Sequence, residues 1–317
     1  MLNRRHLRIK VLQILYAFFQ SEGKDLLQAE KELFRSINKM HDLYLYFLLI
    51  FEELQNFGER RIEDKKNKIR PTEDDLNPNR KFVDNHVFRF FAENQDLRRN
   101  SEYKKINWGG AEKNDLMRKL FVRITESDLF EEYMSSRETS PKEERQFALD
   151  LFKTEIANFP LLHDFFENES IYWMDDIDLI CTMVLKTIKQ INENSDEHQK
   201  ILTLYKDEED EKEFITTLIS KAIEKNEEND RLVDTLTQNW ELDRIAKMDV
   251  ILLKMALTEL TEHSSIPKKV TLNEYIEISK YYSTPKSQVF INGILDKAVE
   301  LLDKEGKLNK SGRGLIN

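Results

Sequence analysis

Residues 240–302 read WELDRIAKMDVILLKMALTEL, TEHSSIPKKV and TLNEYIEISKYYSTPKSQVFINGILDKAVELL. Three helices are legible here. In the first, Ile245, Met248, Leu252, Met255 and Ala256 recur at helical spacing and form one apolar stripe. Pro267 ends the connection that follows. The second helix is expected to open with a capping box, in which Thr271 accepts from the backbone of Glu274 and Glu274 reaches back. Thr284 is expected to cap the third helix, with Pro285 in its first turn, where a missing N–H costs nothing. Phe290, Ile294, Ala298 and Leu301 then supply its buried stripe.

The rest of the chain agrees with a helical reading. Eight glycines and six prolines in 317 residues amount to about 4% of the chain, against roughly 12% in average usage. A β-rich fold needs more tight turns than that. The single Cys181 excludes an internal disulfide or a multi-cysteine zinc site, and its apolar surroundings suit a small core residue. Leu43–Phe51 is the longest apolar run and is too short to span a bilayer. The basic N-terminus is followed by no signal-type apolar segment, so a cytoplasmic protein is expected. The net charge is −10, which argues against general affinity for nucleic acid. Any RNA site must be a local basic patch.

Such a patch opens the chain. Arg4, Arg5, Arg8 and Lys10 precede the first acid, Glu22, and run into VLQILYAFFQ. Val11, Leu15, Phe18 and Phe19 form an amphipathic stripe, and Arg4 and Arg8 continue it backwards. The expectation is a helix whose first turns project beyond the core and whose later turns are buried. These charges could serve solubility alone. Arginines at a helix N-terminus oppose the helix dipole, however, and an anionic ligand would compensate them. Tyr16 lies beside Arg5 on the flank of the stripe, suited either to an interface edge or to a half-buried structural ring.

Two sets of residues resemble the NusB family of bacterial transcription antitermination proteins. One is NRRHLRIKVLQILYAF, with Gln13 and Tyr16. The other comprises Trp240, Arg244, Asp249–Leu253, Ala256, Glu259-Leu260, Pro267, Val270, Asn273-Glu274, Lys280 and Phe290–Asp296. The resemblance implies an all-α fold and binding of boxA-type RNA. It also implies a partner, the small-subunit ribosomal protein that doubles as NusE. It places RNA contacts at Arg4, Arg5, Arg8 and Tyr16, and at Lys286, Ser287 and Phe290 around the first turn of the last helix. That turn is also a plausible phosphate site on dipole grounds, with plain capping as the alternative. Phe290 could stack on a base or belong to the core. Asp249 falls inside an apolar stripe, and the resemblance makes it a contact to the ribosomal protein; a structural role explains it equally. Three positions depart from the family: His6 stands where an arginine is common, Lys286 where an acid is common and Val289 where a base is common.

Residues 24–57 read as two helices, the second (LYLYFLLIFEEL) deeply buried. The polar segment 58–80 reads as a helix tail and a loop, and its basic run Lys65–Arg70 as a solvated face. Residues 81–210 exceed a compact NusB. Within them Phe147, Leu151, Ile156 and Trp173 recur 67 positions later as Phe214, Leu218, Ile223 and Trp240, and Asp178 and Ile180 recur as Asp249 and Ile251. The expected organisation is therefore an N-terminal NusB-like part (1–57), a helical insertion (58–210) with a partial duplicate at about 147–190, a C-terminal NusB-like half (211–303) and a polar tail (304–317).

Nothing in the chain suggests catalysis. It has no Walker-type loop, GxGxxG, GxSxG or HExxH motif, and no cofactor or metal is implied. The expected function is an antitermination factor that binds boxA-type RNA with NusE and keeps RNA polymerase processive on ribosomal RNA operons. The alternative is a helical protein-interaction scaffold.

Overall fold

A computed structural model describes residues 2–22, 25–137, 140–237, 245–308 and 310. In chain order the helices are α1 (Arg4–Gln20), α2 (Leu26–Lys66), α3 (Glu73–Leu76), α4 (His86–Glu93), α5 (Gln95–Lys104), α6 (Ala111–Thr125), α7 (Asp128–Ser135) and α8 (Pro141–Leu151), which runs into a π turn at Phe152–Ile156. They continue with α9 (Pro160–Glu169), α10 (Ile177–Gln190), α11 (Glu208–Glu224), α12 (Asn226–Leu236), α13 (Lys247–Glu262), α14 (Lys268–Tyr282) and α15 (Ser287–Lys304). No strand occurs among the described residues, as the all-α reading expects. Among the described residues no helix is long and apolar enough to cross a membrane. The chain divides into two compact units, one of Met1–Ile37 with Tyr205–Asn317 and one of Asn38–Leu204.

The first unit is assembled on α13. Every residue from Ile251 to Leu260 is buried, so this helix is covered on all sides. It packs against α1, α11, α12, α14 and α15. Side-chain contacts give the directions. Arg8 of α1 meets Glu259 near the end of α13, whereas Gln20 of α1 meets Lys247 at its start. Thr271 of α14 meets Glu259, and Ser283, just past α14, meets Asp249. Thus α1 and α14 both run antiparallel to α13 and parallel to each other.

Two helix starts differ from expectation. The Thr271–Glu274 capping box does not form: α14 begins four residues earlier, with Pro267 in the extended N-cap conformation. Thr271 is fully buried and donates to Glu259 instead. For α15, the Thr284 N–H donates to Ser287 Oγ at 3.2 Å, and the two hydroxyls are 2.8 Å apart. Leu302 rather than Leu301 completes the buried stripe of α15. Trp240 and Arg244 lie outside the described residues.

The second unit is built on α2. The two helices expected in residues 24–57 are one, because no residue before Lys66 interrupts the helical hydrogen bonding. Tyr46, Phe47 and Phe51 form an aromatic core with Phe88, Phe91, Trp108, Phe152, Phe166 and Trp173. Gly58 survives mid-helix because another chain segment needs the space: a Cβ there would sit 2.5 Å from Val83 Cγ1. Cys181 is half-buried, and burial pushes its thiol up to about 12.

The residues of the internal similarity lie in different units. In the second unit α8 packs on α10, as α11 packs on α13 in the first. Phe147 and Phe214 are both buried, as are Leu151 and Leu218. The correspondence fails at the acids: Asp178 is exposed, whereas Asp249 is buried.

Candidate nucleic-acid interface

The start of α1 is tightly organised. Asn3 Oδ1 accepts from the His6 N–H at 3.0 Å, and His6 Nδ1 accepts from the Asn3 N–H at 3.3 Å, a reciprocal cap. The departure His6 thus has a structural use that an arginine could not fill, since guanidinium has no acceptor. The next two side chains are partly exposed and paired. Arg4 donates to Asp210 at 2.6 Å, and Arg5 makes a two-pronged contact to Glu274, both bonds at 2.8 Å. The bond to Glu274 raises the Arg5 pKa, and the same bond holds Glu274 below the usual carboxylate range.

Arg8 is different. It is 1% exposed and donates twice to Glu259, which is fully buried, at 2.7 Å for each bond. Thr271 and Tyr275 hydroxyls donate to the same carboxylate at 2.9 and 3.1 Å. Four donors therefore meet two oxygens, which a buried carboxylate requires. Burial opposes the charge on Arg8, but Glu259 more than offsets this, and the Arg8 pKa is raised. Burial first, with Glu259 beside it, pushes Tyr275 well above its ordinary range. Arg8, expected at a phosphate, is thus closed into the core. Leu7, Lys10 and Val11 are buried too, while Tyr16, Ala17 and Gln20 are exposed. The expected polarity of α1, first turns out and later turns in, holds only in part: the first turn is partly exposed and Val11 to Leu15 are largely buried, but burial already begins at Leu7 and the last turn is exposed.

A cleft of about 400 Å³ lies at this end of the unit, lined by Asn3, Arg4, Arg5, Arg8 and Glu274 together with Ser265, Ile266, Pro267 and Val270. From it a partly exposed stripe runs down α1 through Arg5, Ile9, Gln13 and Tyr16, which share one face at helical spacing. Tyr16 is 40% exposed at the lower end.

The first turn of α15 lies at the other end of α13. Asp249, 4% exposed, accepts from the Ser283 hydroxyl and, at 2.7 Å, from that of Ser287. Of its two expected roles, Asp249 takes the structural one in the folded chain: it pins the α14–α15 turn. Ser287 (1% exposed) and Phe290 (8%) point inward, so these two expected RNA contacts are withdrawn from the surface. Lys286 stays exposed. The two helix beginnings that carry the expected RNA contacts do not meet. They stand at opposite ends of the eleven-residue span from Asp249 to Glu259, about 15 Å apart along α13, with the α1 stripe between their levels.

Sequence reading missed Asp210, Glu259 and Glu274 as partners of the arginines. A signal existed for the buried pair. Glu259 continues the Leu252–Met255–Ala256 stripe of α13, and Arg8 continues the Val11–Leu15 stripe of α1. Opposite charges on two apolar stripes are best accommodated by each other.

Comparisons with known proteins converge on one family for the C-terminal segment. The NusB family model matches residues 180–300. A transcription antitermination protein NusB of Salinibacter ruber is 44% identical over 105 residues, covering 33% of this chain and 66% of that protein. The Chloroherpeton thalassium protein of the same name is 42% identical over 106 residues, covering 33% and 50%. That of Natranaerobius thermophilus is 34% identical over 92 residues, covering 29% and 66%. The chain thus spans between half and just under two thirds of the lengths of these relatives. A solved structure of T. maritima NusB is 28% identical and covers 51% of this chain and 93% of that one, with a TM-score of 0.27.

Proposed function

Because the chain belongs to the NusB family through residues 180–300, we propose that it is an RNA-binding transcription antitermination factor. In this reading it binds boxA-type RNA together with the small-subunit ribosomal protein NusE, in the cytoplasm, and acts by binding rather than catalysis. The observation that carries the reading is the cleft that Arg4 and Arg5 both line, within a protein of net charge −10. Backbone phosphates would exchange with Asp210 and Glu274 as partners of these arginines. Both pairs touch solvent, so the exchange leaves no charge stranded. Tyr16 and Lys286 would extend the contact along α1 toward α15. Arg8 lines the cleft and is held by Glu259, and Asp249 holds the turn that presents Lys286.

The test is a salt titration of single-stranded boxA-type RNA binding. Each phosphate that is no longer neutralised lowers the slope of log K against log salt by about 0.7. Arg4→Ala/Arg5→Ala should lower it by about 1.4 and weaken binding at every salt concentration. A slope equal to that of the unaltered protein would refute the site.

A further inference from the structure

We infer that Tyr281 is a base-stacking shelf for single-stranded RNA, facing Tyr16 across the groove between α14 and α1. The inference rests on the RNA-binding reading above and adds a contact to it. Tyr281 is 82% exposed, among the most exposed large side chains of the first unit. Its ring enters no aromatic contact and its hydroxyl no hydrogen bond among the described residues, so folding leaves the whole side chain available.

Its position follows from the helical register. Glu274 marks the face of α14 turned toward α1, because Arg5 grips it. Tyr281 is seven residues on, two turns later and within about 20° of the same face. On α1, Tyr16 is eleven residues beyond Arg5 and also within about 20° of its face. The two helices run parallel, as their contacts to α13 require. Measured from the Arg5–Glu274 contact, Tyr281 therefore lies about 10 Å down the groove and Tyr16 about 16 Å down. The rings are offset along the groove by about 6 Å, enough for two neighbouring unstacked bases to meet one ring each.

The chemistry suits such a strand. Exposed aromatic rings stack on any base and need no hydrogen-bond code. Cations flank the path, with Arg5 at its head, Lys280 beside Tyr281 and Lys286 beyond. Glu277 lies between Glu274 and Tyr281 on the same face of α14 and is bonded to Lys280, which offsets its charge along the path. An exposed tyrosine with no folding role is the competing reading, and the two differ in what its removal does to RNA affinity.

The experiment measures binding of a fluorescein-labelled, single-stranded boxA-type RNA by anisotropy, with full-length protein, alongside thermal melting. Tyr281→Ala should weaken binding by about 5- to 150-fold, the usual effect of removing one stacked base, with an unchanged melting temperature. Tyr281→Phe should bind like the unaltered protein. An RNA carrying 5-iodouridine should cross-link to Tyr281 on irradiation. If the unaltered protein binds and Tyr281→Ala binds within about twofold of it, the stacking shelf is wrong and the arginine cleft stands. If Tyr281→Phe weakens binding as much as Tyr281→Ala, the hydroxyl rather than the ring makes the contact and the inference falls. If the folded, unaltered protein does not bind the RNA at all, the RNA reading fails and takes this inference with it.

Discussion

Replacing Arg8 by alanine should unfold the first unit far more readily while leaving the second intact. The variant strands Glu259, fully buried, with only Thr271 and Tyr275 as donors in place of four bonds. Removing one partner of a buried ion pair costs about 3–5 kcal/mol. The cost includes packing, since the guanidinium lies 5.1 Å from the Phe214 ring and 5.9 Å from that of Tyr275. At a urea dependence of about 2 kcal/mol/M, this lowers the transition midpoint by about 1.5–2.5 M. Two units unfold, so far-UV circular dichroism needs hydrogen exchange on α1 and α13 peptides to assign the shifted transition. A companion variant, Arg8→Met/Glu259→Gln, removes both charges and keeps an acceptor for Thr271 and Tyr275. It should recover most of the stability, because the penalty comes from the uncompensated charge rather than from the absent ion pair. A cost below about 1 kcal/mol for Arg8→Ala, the range of surface pairs, would refute the placement of Arg8 in the core.

Further outcomes follow from other interactions. Asp249→Ala leaves the Ser283 and Ser287 hydroxyls without their acceptor and should cost about 1.5–3 kcal/mol by urea unfolding; a variant as stable as the original would show that the α14–α15 turn is held by something else. Gly58→Ala drives a methyl group into Val83, and overpacking of this kind costs about 1–3 kcal/mol, read as a lower melting temperature of the second unit. The depressed Glu274 carboxyl binds its proton less readily folded than unfolded, so its stabilising effect is complete above the unfolded value near 4.5 and fades as pH falls through the lower folded value. Glu274→Gln should therefore flatten the acid limb of the first unit's stability profile below about pH 4.5. An unchanged limb would mean that Arg5 does not hold Glu274 in solution.

Local signals decided much of this protein. The scarcity of glycine and proline, the helical spacing of Leu252, Met255 and Ala256, and the stop at Pro267 depend only on neighbours within a few turns, and a linear text carries such information. The same holds for the resemblance of residues 240–302 to an RNA-binding family. Which charges face outward did not have that form. Arg4, Arg5 and Arg8 look alike in the sequence. Arg8 alone goes into the core, because Glu259, 251 positions away, is brought beside it by α13. Burial of a charge is decided by whether tertiary packing supplies its counter-charge and the remaining donors. Asp249, Ser287 and Phe290 turned inward for the same reason, and Tyr281 was left outside because none of the described segments comes to cover it.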